Sequence, residues 1–317
     1  MRSATYSGPG AAADVISIAD EAVPVPGPTE VIVRVAAAGL NPVDVKIRAA
    51  AVDFGPIEYS DRPGWDVAGT ITALGADVHD WAVGDTVFAL AGFPRAAHTL
   101  AEYAAVPAAD LAAVPSGWSL AQAGAAPLAA LTAWQALDAA GVGAPGTATT
   151  PRVLVLGGAG GVGHLAIQLA KARGARVLAT ASPAKHELLQ GLGVDEVIDY
   201  RDEEALAAIG PVDAVIVTVD DTLPPRGAVV PGTAVVTITG YSDDQQTTLA
   251  GWGADPVARI LVVANGSQLA EIAGLATAGK VTVHLDSEYS LDDLAAAQER
   301  VESGRVTGKV VVILPEA

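Results

Sequence analysis

Residues 153–163 read VLVLGGAGGVG, a β-branched and leucine run that ends in five glycines among seven residues and passes directly into HLAIQLAKARG at 164–174. The run predicts a buried strand, and the apolar spacing after it predicts a helix over 161–173. Gly158, Gly160, Gly161, Val162 and Gly163 together satisfy GxGxxG at the junction. Missing side chains there permit a tight turn and let backbone N–H groups approach a pyrophosphate at the positive end of the helix. The competing reading is a turn that only packs helix on strand. Lys171 and Arg173 near the helix end, followed by Gly174, complement the macrodipole and supply a stop.

An NAD site would place Asp or Glu about 20 residues further on, at the end of the second strand, to hold the ribose hydroxyls. That strand instead ends Thr180-Ala181-Ser182. Ser182-Pro183 reads as N-cap and first helical residue of a helix over 184–192, which puts Lys185 in the first turn, where a cation opposes the helix dipole. The placement makes sense beside an anion, and the 2′-phosphate of NADP is the natural one. Ser182 would donate to it, and Tyr200, closing VIDY at 197–200, would add its hydroxyl or stack on adenine. A solvated lysine and a packing tyrosine are the alternatives.

The glycine motif opens an alternation of short strands and helices that runs through RVLATA, EVIDY, DAVIVTV and AVVTITG. This is the pattern of a doubly wound parallel sheet of α/β class. The first 120 residues differ, with short strands such as EVIVRVAAAG and GTITAL among Gly- and Pro-rich turns. After a strand RILVVAN at 259–265 come a helix over 267–278, a strand KVTVHLD, a helix over 291–302 and a last strand KVVVILP. These closing strands resemble the opening ones. The expected organisation is therefore a discontinuous β-rich domain, 1–122 with 266–317, and a nucleotide-binding domain over 123–265. No internal repeat is visible, and GAPGTATTP at 143–151 reads as a loop.

Composition narrows the chemistry. The chain has 317 residues, with 36 acidic against 18 basic and a formal net charge of −18, which opposes a nucleic-acid partner. No cysteine is present, which excludes disulfides, thiolate metal sites and a cysteine nucleophile. The five histidines, 79, 98, 164, 186 and 284, show no HxH or HExxH spacing. GxSxG and Walker A sequences are also absent. The opening MRSATYSGPG has no apolar leader pattern, and no apolar run is long enough to span a bilayer. A soluble cytoplasmic protein with no membrane partner is expected.

Taken in order, AAGLNPVDVKIR (37–48), PGWDVAGTITALG (63–75), GDTVFAL (84–90), AEYAAVP (101–107), LTAWQAL (131–137), the glycine motif, VIDY and GKVVVILP (308–315) resemble the medium-chain dehydrogenase/reductase superfamily. Within it they are similar to the zinc-lacking, zeta-crystallin-like quinone oxidoreductase branch. The resemblance covers nearly the whole chain. It implies a GroES-like β domain with an inserted Rossmann domain, and a cleft where nicotinamide meets substrate. Zinc-dependent relatives carry a cysteine in the first motif and His-Glu in the second, where this chain has Asn41 and Trp65-Asp66. Trp65 would then fill the metal's volume as core.

The implied reaction is metal-free hydride transfer from NADPH to a quinone or an α,β-unsaturated carbonyl, with donors aimed at the developing enolate oxygen. The resemblance places Asn41, Asp44 and Lys46 along the nicotinamide side. Lys46 either binds ribose or a substrate carbonyl, or forms a salt bridge with Asp44 or Asp66. Residues 49–63, with Phe54 and Tyr59, would line the acceptor pocket, and Tyr59 is either a proton donor or pocket lining. Thr132 would contact the nicotinamide half, approached also by the backbone of Gly240 and Ala264. A homodimer joined near 259–265 is expected from the same resemblance. Two other functions stay open: reduction of an enoyl thioester or a secondary-metabolite enoyl group, and a crystallin-like or regulatory NADPH-binding protein without important turnover.

Overall fold

A computed structural model describes residues 1–49, 60–143, 150–255 and 258–314. It divides into two units, Met1–Leu131 with Val263–Ala317, and Thr132–Val262.

In the first unit, β1 (Arg2–Tyr6) and β2 (Ile16–Asp20) pair antiparallel around the short helix α1 (Ala12–Val15). The run EVIVRVAAAGL forms β3 (Glu30–Leu40), followed by α2 (Pro42–Arg48). Pro42 opens that helix, where its missing N–H has no intrahelical partner to lose. Next come β4 (Asp66–Leu74), β5 (Thr86–Leu90), β6 (Tyr103–Pro107) and β7 (Leu111–Ala113). Helix α3 (Leu120–Ala125) is capped by Ser119, whose side chain accepts from the Gln122 N–H, and α4 (Pro127–Ala139) follows.

The second unit alternates as the pattern predicts. It comprises β8 (Arg152–Leu156), α5 (Gly163–Ala172), β9 (Arg176–Ala181), α6 (His186–Gly191), β10 (Glu196–Asp199), α7 (Glu203–Ala208), β11 (Ala214–Val217), β12 (Ala234–Thr237), α8 (Asp243–Gly251) and β13 (Ala258–Arg259). All its strand pairs are parallel, in the order β10-β9-β8-β11-β12-β13. The order reverses between β8 and β11, the place where open α/β sheets bind their ligands. Leu154, Leu178, Val215 and Val235 bury one face of the sheet.

The chain then returns to the first unit through α9 (Gly266–Thr277), β14 (Leu285–Ser290), α10 (Leu294–Glu302) and β15 (Lys309–Ile313). Strand β15 lies antiparallel to β3, with Val310 opposite Leu40, and parallel to β14. The seven-stranded sheet runs β14-β15-β3-β4-β5-β7, with β6 also paired to β3. Val31, Val33, Ile71, Val87, Val310 and Val312 form its core with Leu294 of α10. No helix among the described residues is long and apolar enough to cross a membrane.

Three sequence expectations differ in detail. The helix expected over 184–192 begins as a 3₁₀ turn, Pro183–Lys185, and becomes α-helical only at His186. The strand expected over 259–265 stops at Arg259, because its partner β12 ends at Thr237 and offers only one further carbonyl, taken by the Ile260 N–H at 2.9 Å. Residues 281–284 of KVTVHLD are not a strand. Side chains take two of the carbonyls instead: Trp118 Nε1 donates to Val281 O at 3.1 Å and Gln122 Nε2 to Val283 O at 3.0 Å.

Candidate functional site

Strand β8 ends at Leu156, and Gly157 turns the chain at φ +83°. The Gly157 N–H donates to Thr180 Oγ1 at 3.1 Å and the Gly158 N–H to Thr180 O at 2.9 Å, so β9 holds the turn. A Cβ on Gly163 would lie 2.2 Å from Gly157 O, and one on Gly158 would lie 2.9 Å from Ala179 Cβ and Leu189 Cδ2. These two glycines let α5 approach the strand end. At Gly160 the nearest atom to such a Cβ is Gly157 O at 3.4 Å, an ordinary contact. Space therefore remains over Gly160 for a ligand against its backbone. Val162 is the N-cap of α5, and fully buried His164 donates from Nδ1 to Gly160 O at 2.9 Å, fixing the loop from beneath.

The ends of β9 and β10 stand on the same edge as this turn, since Asp199 registers with Ala181 and Leu156 with Thr180. Ser182 follows β9 but makes no side-chain cap, contrary to the capping role expected from Ser182-Pro183. The 3₁₀ turn moves the α-helix start three residues on and leaves Lys185, half-buried, as its N-cap. Tyr200 is exposed, and its hydroxyl accepts from Arg201 Nη2 at 2.8 Å while the Arg201 guanidinium lies 4.9 Å over its ring. Arg201 escaped the sequence reading, although a cation directly after the third strand was a visible signal. Gly240 follows β12 with φ +95°, its N–H donating to Thr237 Oγ1 at 3.1 Å. Thr132 is buried on α4. Ala264 precedes Asn265, the N-cap whose side chain accepts from the Gln268 N–H at the start of α9. Tyr59 and Phe54 lie outside the described residues.

The first unit gathers a second polar group around Asn41. The Asn41 N–H donates to Asp44 Oδ2 at 2.8 Å, and Asn41 Nδ2 donates to Asp66 Oδ2 at 2.8 Å. The Lys309 ammonium donates to Leu40 O at 3.0 Å and to Asn41 Oδ1, and lies 3.6 Å from Asp66 Oδ2. Asp66 Oδ1 accepts from the Leu128 N–H of α4 at 2.7 Å. All four side chains are buried. Burial pushes the Asp44 carboxyl up to about 7 and the Asp66 carboxyl to about 6 against the opposing pull of Lys309 and the hydrogen bonds. It also pushes the Lys309 pKa down, while Asp66 and Asp44 oppose that shift. Asp44 Oδ1 has no hydrogen-bond partner among the described residues. Lys46, on α2, is half-buried. The ammonium that meets Asp66 is thus that of Lys309, which the sequence reading passed over. Its only signal was a lone lysine between Gly308 and a run of valines.

Comparison with known proteins places the chain in a family. The model of the alcohol dehydrogenase GroES-like domain matches residues 27–116, and that of a zinc-binding dehydrogenase matches 192–312. The 2-methylene-furan-3-one reductase of Solanum lycopersicum is 35% identical over 98% of this chain and 79% of its own length. The chain belongs to the medium-chain dehydrogenase/reductase superfamily. A chloroplastic NADPH-dependent alkenal/one oxidoreductase of Arabidopsis thaliana is 35% identical over 89% of this chain and 72% of the relative. The solved quinone oxidoreductase from Coxiella burnetii superposes with a TM-score of 0.85 at 30% identity, covering 99% of both chains.

The chain is an oxidoreductase that uses a nicotinamide cofactor, and the glycine turn fits one, since the space over Gly160 leaves its backbone open to a ligand. The zinc named in one family model does not fit the residues around Asn41. An ammonium already occupies the donors a cation would need, with Asn41 Oδ1 and Asp66 Oδ2 both turned toward Lys309. Trp65 beside them is buried, donating from Nε1 to Arg95 O at 2.7 Å and packing edge-on to Phe93.

Proposed function

We propose that this protein is an NADPH-dependent reductase that delivers a hydride to a quinone or an α,β-unsaturated carbonyl without a metal. The observation that carries the reading is the glycine turn at the reversal of strand order, flanked by Lys185 and Arg201 and by no carboxylate at the end of β9. The names of the relatives support the acceptor class.

A bound nicotinamide supplies the hydride. Gly158, Gly160, Gly161, Val162 and Gly163 cradle the pyrophosphate in this reading, and Ser182, Lys185 and Tyr200, joined by Arg201, hold the 2′-phosphate. Thr132, Gly240 and Ala264 flank the nicotinamide half. Asn41 has both polar side-chain atoms engaged, so its role is to orient rather than to donate to substrate. Lys46 is the cation assigned to the acceptor carbonyl, where it stabilises developing enolate charge. Asp44 fixes the start of that helix through the Asn41 N–H. Tyr59 belongs to the acceptor pocket in this reading, as lining or as the proton donor, and water is the other source of the proton.

The same reading makes the protein a cytoplasmic homodimer. β13 is the outer strand of its sheet, and beyond it Leu261 and Val263 are exposed on either side of buried Val262. An outer strand continued by exposed apolar side chains favours pairing with a second copy. Sedimentation as a monomer only would overturn the dimer.

The deciding experiment follows absorbance of NADPH or NADH with a panel of quinones, 2-alkenals, enones and an enoyl thioester. NADPH-selective consumption with a quinone or enone is expected. Consumption with the enoyl thioester alone would move the assignment to enoyl reduction, and binding of NADPH without consumption by any acceptor would overturn it.

A further inference from the structure

The Lys309 ammonium and the Asp66 carboxylate stand at a junction of four elements. Lys309 opens β15, Asn41 ends the turn into α2, and Asp66 opens β4 while its other oxygen takes the Leu128 N–H in the first turn of α4. Thr132 lies one turn further along α4. The backbone makes room for this group. A Cβ on Gly39 would lie 2.8 Å from Asp66 Oδ2, and one on Gly308 would lie 2.1 Å from His284 O, the carbonyl that accepts from the Lys309 N–H at 2.9 Å. Gly308 has φ +69°, which lets the chain enter β15 with Lys309 already turned inward.

We propose that Lys309, paired with Asp66, is a positioning residue for hydride transfer, a built-in cation that locks the start of α2 to the start of α4. The inference rests on the reductase reading, because α2 carries Lys46 and α4 carries Thr132. A purely hydrophobic filling of this volume would pack as well. A buried ion pair contributes little net stability, and its best-attested use is to specify one arrangement. Here each partner has directional bonds to a different element: Lys309 to Leu40 O and Asn41 Oδ1, Asp66 to Asn41 Nδ2 and the Leu128 N–H. Removal of the ammonium frees the Asn41 amide to rotate and leaves the orientation of two helix starts unspecified.

The test compares Lys309→Met with the double variant Lys309→Met/Asp66→Asn. The single variant leaves a buried carboxylate without its counter-charge and should lose stability, whereas the double variant removes both charges and should regain most of it. A pair with only a structural role predicts that kcat returns with stability in the double variant. A positioning role predicts that kcat stays about tenfold to a hundredfold below wild type in both variants, since a misplaced reacting group costs that much. It also predicts little change in NADPH affinity. Amide hydrogen exchange at Asn41 and Leu128 gives a readout independent of turnover and should accelerate in both variants. Recovery of kcat in the double variant, or unchanged exchange at these amides, would overturn the proposal. If Lys309→Met does not fold, the double variant alone carries both measurements. Failure of the reductase reading is seen separately, as a wild-type protein that reduces no quinone or enone, and it would take this proposal with it.

Discussion

Arg48 and Gln298, 250 residues apart in the chain, meet in the interior of one unit, where Arg48 Nε donates to Gln298 Oε1 at 2.7 Å. Arg48 is fully buried and bonds also to Gly10 O and Glu302, while Gln298 Nε2 donates to the Tyr6 hydroxyl. One guanidinium therefore joins the N-terminal hairpin region, α2 and α10. Arg48→Met should leave Gln298 Oε1 and Gly10 O unpaired and lower stability by about 1–3 kcal/mol, the cost of a buried acceptor left without its donor. Urea denaturation checks this, and a loss under about 1 kcal/mol, typical of surface pairs, would contradict it.

Gly163→Ala tests the nucleotide turn. The new methyl would sit 2.2 Å from the backbone oxygen of Gly157, which no side-chain movement relieves. NADPH titration by fluorescence should show a Kd at least about tenfold weaker, equivalent to roughly 1.4 kcal/mol. Unchanged affinity would mean that the turn serves packing alone.

Lys185→Glu and Arg201→Glu test the phosphate assignment. Each replaces a cation at the ends of β9 and β10 with a like charge for the 2′-phosphate. A charged hydrogen bond contributes about 1.5–3 kcal/mol, so NADPH affinity should fall by about tenfold or more while NADH affinity changes little. Equal losses for both cofactors would reject the 2′-phosphate reading.

Stability should respond to pH in a direction set by the buried carboxyls. Asp44 titrates at about 7 and Asp66 at about 6 in the folded chain, both raised by burial, against about 4 when unfolded. Between these values the folded state holds protons that the unfolded state has lost, so their contribution to stability grows as pH falls from about 7 toward 4. Burial lowers the His98 pKa, which acts in the opposite sense through the unfolded histidine range. The difference between wild type and Asp44→Asn cancels the His98 contribution. Wild type should gain on the variant as pH falls from 8 to 5, measured by urea denaturation at each pH, and a constant gap would contradict the assignment. Further down, Asp286 is held to about 2 by its hydrogen bonds from Arg300, so its contribution is complete above about pH 4 and lost as pH falls toward 2.

Chelation should leave turnover intact. With the Lys309 ammonium among the oxygens of Asn41 and Asp66, dialysis against EDTA followed by metal analysis should give a zinc-free protein with unchanged kcat. Loss of activity restored by added zinc would overturn the metal-free reading.

The glycine turn and the parallel alternation after it were legible in the sequence because each shows in local spacing or in a period of side chains, and the return of the last strand to the opening sheet was legible because the closing strands resemble the opening ones. The spacing of a GxGxxG turn is read directly, as is the lack of a carboxylate at Thr180-Ala181-Ser182. The 3₁₀ start at Pro183, the shortness of β13 and the side-chain bonds that replace a strand at 281–284 depend on partners elsewhere in the chain. So do the Arg48 and Lys309 networks. A lysine beside a valine run carries no mark of the two carboxylates that surround it, since Asp44 and Asp66 lie more than two hundred residues earlier. The pattern of residues determined the fold class and the glycine turn. Only the tertiary structure decided which buried charges meet, because burial makes an unpaired charge so costly that its partner must be found across the whole fold.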